Sequence, residues 1–175
     1  MVGKVLENFG RPTHILRPVD LDHIYREKQV DLPIVLHVTL APTGIARDNH
    51  WTIAWQVGMA DTYKVHRRVQ IVREILASHL TNWGAMTKAS TADTQANSFE
   101  ISLGVMGYEQ RRRLEEIGNG MEVYEPDGEW NCQNWVVMVL RKAEEEGLIE
   151  KKVWVKAIME AEGLGKKSGT SVLSS

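Results

Sequence analysis

Asn49-His50-Trp51-Thr52-Ile53-Ala54-Trp55-Gln56-Val57-Gly58 alternates in character along its whole length. Trp51, Ile53, Trp55 and Val57 fall on one side, and His50, Thr52, Ala54 and Gln56 on the other. That period of two marks a strand with one face buried. Upstream, Ile34–Leu40 is rich in β-branched and apolar residues and lies between Pro33 and the breaker Ala41-Pro42-Thr43-Gly44, so it reads as a second strand. Downstream, a turn around Gly58–Asp61 leads to Tyr63–Val69. There Tyr63, Val65, Arg67 and Val69 share one face, and Lys64, His66 and Arg68 the other. Phe99–Val105 alternates again.

The helical signals lie mostly later in the chain. Cys132, Trp135, Val136, Val139, Leu140 and Ala143 recur at helical spacing across Asn131–Glu146, with Asp127 or Asn131 available as cap and Gly147 as stop. Glu109–Ile117 and Lys151–Glu162 read as further helices. Ile71, Val72, Ile75, Leu76 and Leu80 suggest one more over residues 70–84, while the small polar stretch 85–97 reads as a loop. Strands clustered first and helices afterwards predict an α+β fold, an antiparallel sheet packed against a Cys-bearing helix. One domain is expected over residues 1–165. Residues 1–20 form an irregular lead-in, 19–28 a short turn of helix or a strand end, and 166–175 a disordered Ser/Gly/Lys tail.

Composition bounds the function. The chain has 175 residues, 43% apolar and 25% charged, with a formal net charge of −2 and no long basic block, so nucleic acid is not an expected partner. No apolar run reaches the ~18 residues of a membrane helix, and the first residues have no signal-peptide core. No stable membrane anchor is expected, and a cytoplasmic location is. A single cysteine forms no intrachain disulfide and argues against a multi-thiolate zinc site. No metal or other cofactor is called for.

Cys132 stands in the first turn of the clearest helix. There the dipole and free backbone N–H groups favour thiolate, the nucleophilic form, and can hold an oxyanion. A thiol site needs a base, and His is the commonest one. His50 opens a strand whose own face is small and polar. His66 lies on the next strand between Lys64 and Arg68, which disfavour its protonation. His37 is a spare candidate for a third group, as are Asp48 and Asp61, which lie near in sequence. Asn131, Trp51 and Trp130 are candidates for the oxyanion and substrate side. An ordinary buried thiol, a solvated strand histidine and tryptophans filling a core are the competing readings of the same residues.

Two stretches together resemble a known family. His50-Trp51-Thr52-Ile53-Ala54-Trp55 with Tyr63-Lys64-Val65-His66 resembles the H-W-x-[IL]-x-[YW] … Y-x-[IV]-H pattern of lecithin:retinol acyltransferase-like (LRAT-like) proteins. Asn131-Cys132-Gln133-Asn134-Trp135-Val136 resembles their N-C-E-H-F-[VT] box, with Gln133-Asn134-Trp135 in place of Glu-His-Phe. These proteins are circularly permuted relatives of papain and of NlpC-type peptidases, with the His strands before the Cys helix. PPPDE peptidases share that order, and the W-N-C-Q-x-W-V wording also resembles a group of fungal proteins. The resemblance implies Cys132 as nucleophile, His50 as base and His66 as the group that orients it. The implied activity is thiol-dependent hydrolysis or acyl transfer on an ester or amide. The partner would be a small-molecule or acyl substrate, or a protein tail for a peptidase or isopeptidase. A biosynthetic cyclase or isomerase and a non-catalytic interaction module on the same scaffold stand as alternatives.

Overall fold

The strands are Leu32–Thr39 (β1), His50–Ala60 (β2), Tyr63–Val69 (β3), Val72–Arg73 (β4), Leu80–Thr81 (β5), Met86–Ala89 (β6) and Ser98–Met106 (β7). The helices are Ala92–Ala96 (α1), Tyr108–Gly120 (α2), Cys132–Glu145 (α3) and Lys151–Gly163 (α4). They come from a computed structural model that describes residues 3–165. The expected tail at 166–175 lies outside the described residues. The main sheet runs β6-β3-β2-β1-β7, with every neighbouring pair antiparallel. The chain is thus an α+β fold built on an antiparallel sheet.

The alternation in β2 sets the two faces. Val38, Ile53, Trp55, Val65, Val69 and Ile101 are buried on one of them. Helix α3 packs over β2, α4 over β7 and α2 over β3. Trp135, Val136, Val139, Leu140 and Ala143 of α3 are all 0–1% exposed, as the helical spacing predicts. The helices therefore crowd one side of the sheet. The other side carries His50 and Thr52 of β2, His37 of β1, His66 and Arg68 of β3, and Glu100 of β7. The pairings His37↔Thr52, His37↔Glu100 and Ala54↔Arg68 put these residues on that face. Two bulges interrupt the ladder, at Gln56/Gly58 and at Ile34/Val35. The second lies opposite Gly104, whose φ of 101° suits glycine alone.

Segment 70–84 is not helical. Val72↔Thr81 and Arg73↔Leu80 pair as a small hairpin, and Leu76 takes a positive φ of 67° in its loop. The apolar residues that suggested a helix face do not share one: Ile71 is 0% exposed, whereas Ile75 and Leu76 are 84% and 100% exposed. Tertiary bonds hold the segment instead. His79 Nε2 and Thr81 Oγ1 meet the Gly10 carbonyl, and Asn82 Nδ2 donates to the carbonyls of Gly118 and Met121. Stretch 85–97 is likewise not all loop, because β6 completes the sheet edge beside β3 and Thr91 caps the single turn of α1. Among the described residues no helix is long and apolar enough to cross a membrane.

The stretch leading into β1 is tied down by a buried cation. Arg111 of α2 is 0% exposed. It donates to Glu27 Oε1 at 2.6 Å and to the carbonyls of Lys28, Val30 and Met106, while Trp55 Nε1 donates to the other Glu27 oxygen at 2.8 Å. Arg111→Met strands one half-buried carboxylate and three carbonyls. Urea denaturation should show a loss of about 3–5 kcal/mol of unfolding free energy, with the 20–30 segment the first to gain amide exchange.

Candidate thiol site

The start of α3 is built by its own first turn. Asn131 is the N-cap: its side-chain oxygen accepts from the Gln133 N–H at 2.9 Å, and Asn134 Oδ1 accepts from the Asn131 N–H at 2.9 Å. This reciprocal box leaves Cys132 as the first helical residue. The loop Ala46–Asn49, just before β2, is stitched to that turn. Gln133 is 6% exposed, and its Nε2 donates to the carbonyls of Ala46 at 2.8 Å and Asn49 at 3.0 Å, with Arg47 O at 3.3 Å. Asn131 Nδ2 donates to Arg47 O at 3.0 Å, and the Arg47 guanidinium returns bonds to Gln133 Oε1, Asn134 Oδ1 and Glu129 O. A carboxylate at 133, as in the LRAT-like box, has no N–H for these three carbonyls.

This stitching brings the sulfur to the head of β2. Cys132 is 8% exposed, and its Sγ lies 3.9 Å from Asn49 O. Asn49 directly precedes His50 in the chain, and the His50 ring and the sulfur each shift the other's pKa. His50 Nε2 is 3.0 Å from Gln70 Oε1, which also accepts from Thr52 Oγ1 at 2.8 Å. With Nε2 on Gln70, Nδ1 is the ring nitrogen left for the thiol. A thiol donates to Asn49 O, whereas a thiolate has no proton to donate. Transfer of that proton to His50 therefore frees the sulfur from the carbonyl.

The electrostatics favour that transfer. Burial pushes the Cys132 thiol up, but the hydrogen bond and charge of His50 and the backbone N–H groups of Trp51 and Cys132 itself outweigh it, and the net direction is down. His50 moves the opposite way: burial pushes it down, the Cys132 sulfur and the Gln70 bond push it up, and the net is up. Opposite shifts in these two groups favour moving the thiol proton toward the imidazole.

Of the residues singled out from sequence, Cys132 and His50 meet. His66 does not orient His50; Gln70 occupies that position. His66 is 2% exposed, with Nε2 3.4 Å from Glu100 Oε1 and its ring 5.6 Å from that of His37. Burial first, and then the Arg68 charge, lower both histidines to about 4. Asp48 accepts from Thr43 at 2.7 Å, and Asp61 sits in the β2–β3 turn at a φ of 50°; neither partners His50. The Asn131 side chain is spent on capping and stitching, so the oxyanion donor at this helix start is backbone N–H. Trp51 and Trp130 wall a cavity of about 410 Å³ with Gln133, Val137, Met138 and Ile158, and Cys132 is not in its lining. The indole nitrogens of both tryptophans are buried without a partner.

Gln70 was discoverable. It continues the period of β3, two residues beyond Arg68 on the same face. Gln133 carried no sequence signal beyond its departure from the motif. Among the described residues no cluster of three or more His, Cys, Asp or Glu is arranged to hold a metal ion. Comparison with protein families, curated proteins and solved structures finds no match.

Gln133→Glu tests the stitching. At neutral pH a carboxylate facing three carbonyls should cost about 1–3 kcal/mol of stability, measured by urea denaturation. The deficit should shrink on acidification, as the carboxyl regains an O–H donor.

Proposed function

We propose that the chain is a thiol-dependent hydrolase or acyltransferase acting on an ester or amide, on a circularly permuted papain-like fold of the LRAT-like kind. The observation that carries this reading is the His50–Cys132 pair, with the sulfur at the start of α3 and the imidazole oriented by Gln70. The chain order supports it too, since the His strand precedes the Cys helix. His50 takes the thiol proton, and Sγ bonds to the substrate carbonyl carbon. The Cys132 N–H and the positive end of α3 steady the developing oxyanion. When the tetrahedral intermediate collapses, the carbon–leaving-group bond breaks and His50 returns its proton to the departing alcohol or amine. Water or an acceptor, deprotonated by His50, then attacks the thioester and releases Cys132. Gln70 acts on His50 alone, fixing its tautomer and direction, and is a positioning residue.

A second reading, a non-catalytic interaction module, is favoured by the 8% exposure of Cys132 and its absence from the lining of the neighbouring cavity. The two readings differ in thiol chemistry.

Because the folded Cys132 pKa lies below that of a free thiol, thiolate is present at pH values where an ordinary cysteine, near 8.5, is still protonated. Iodoacetamide should therefore modify the sole cysteine below that pH, and the rate should fall only as pH drops through the lowered value. His50→Ala should move the inflection upward. Gln70→Ala should move it part of the way, with far-UV circular dichroism unchanged. A native profile matching free cysteine would leave the module reading standing.

A further inference from the structure

Gln70 steers the His50 ring only if its own amide is held in place. It lies just past Val69, the last residue of β3, half-buried and outside the ladder. Its side chain has three rotatable bonds and gives up much rotamer freedom when it is fixed. A chain of that kind, left with one contact at the ring, swings as readily as it aligns. A stiffer neighbour has to anchor it.

Thr52 is placed to do so. Continuing the antiparallel register from Ile53↔Val69 by one rung sets Thr52 level with Gln70 and puts His50 on the diagonal. Thr52 is 2% exposed, and its β-branched side chain has little freedom at χ1. On its other side it pairs with His37 of β1, so the rung is locked from both directions. The Thr52 hydroxyl donates to Gln70 Oε1 at 2.8 Å, and His50 Nε2 lies 3.0 Å from the same oxygen. A carbonyl oxygen has two lone pairs. One takes the hydroxyl proton and the other the ring proton, so this oxygen is fully spent. An acceptor held there keeps the ring proton on Nε2 and leaves Nδ1 as the basic nitrogen.

We propose that Thr52 is a further positioning residue of the thiol site: its hydroxyl anchors the Gln70 amide, and the amide holds His50 in the Nε2–H tautomer. The catalytic meaning rests on the thiol-site reading; the anchoring of the ring does not. A buried hydroxyl that merely finds an acceptor would cost stability when removed and leave the ring as it was.

Thr52→Val keeps the shape of the side chain and removes the hydroxyl. The first readout is the iodoacetamide profile of Cys132. Cys132 of α3, Arg68 of β3 and His37 of β1, the charged or titratable groups that act on His50, are unaltered by the change, so a moved inflection reports the amide. The inflection should move upward, with the rate near pH 7 falling about fivefold for the loss of one hydrogen bond. Thr52→Ser should restore most of it. In a Gln70→Ala background Thr52→Val should add nothing, because its effect passes through that amide. The second readout is the ring itself, by nitrogen-15 NMR. Native His50 Nε2 should carry a proton, and in Thr52→Val its signal should move toward the unprotonated range. An unprotonated Nε2 in native protein overturns the proposal, and this measurement decides even if Thr52→Val fails to fold. Where the native thiol profile is lowered, an unchanged profile in folded Thr52→Val overturns it as well, as does a full further effect in Gln70→Ala. A native profile matching free cysteine, with Nε2 protonation still dependent on Thr52, would sink the thiol site and leave the anchored ring standing.

Discussion

Gln133 is the residue through which the rest of the site is assembled. Its buried amide donates to three carbonyls of the Ala46–Asn49 loop, those of Ala46, Arg47 and Asn49, and that loop runs straight into His50. A helix start and a strand start far apart in sequence are thereby held at one spacing. The chemistry at stake is short-ranged. A thiol and an imidazole exchange a proton only when their atoms lie within hydrogen-bond reach, and a shift of an ångström between α3 and β2 would separate them. The cap at Asn131 serves the same end, because it decides which residue is the first of the helix and hence which side chain meets the free N–H groups.

The two faces of the sheet obey different physics. On the side covered by α2, α3 and α4, Ile53, Trp55 and Val65 meet Trp135, Val136 and Val139 in a dry core, where burial of apolar surface is the dominant gain. On the opposite side the sheet is polar and only partly covered. Burial there acts on ionisable groups instead. It strips His37 and His66 of their protons at neutral pH, first by desolvation and then by the Arg68 charge. His50 feels the same desolvation and the same Arg68, yet ends with a raised pKa because a thiol stands beside it and Gln70 behind it. Three histidines on one face thus divide into two states according to their neighbours.

The places where sequence reading and structure part company have a common cause. His66 matched the expected motif and lay on the correct face, but Gln70, two rungs nearer the end of the strand, is the residue beside His50. A period of two identifies the face; it does not say which rung lies level with a side chain at the end of the neighbouring strand. At 70–84, apolar residues at helical spacing belonged to a hairpin, because the side chains of Thr81 and Asn82 bond the carbonyls of distant segments at Gly10, Gly118 and Met121 and fix the chain there. Strand β6 was hidden in a small polar stretch because an edge strand needs a neighbour more than an apolar face.

By itself the sequence determined the alternation of β1, β2, β3 and β7, the apolar stripe of α3, and the position of Cys132 at the head of that stripe. Each of these depends on residues a few positions apart, and hydrophobic periodicity encodes them directly. Tertiary structure decided that the sulfur faces His50 and that Gln70 rather than His66 supports the ring. It also decided that Gln133 joins loop to helix. Those outcomes depend on the distance between groups 20 to 90 residues apart in the chain. They are set by strand register and by the satisfaction of buried polar groups, neither of which a local pattern carries.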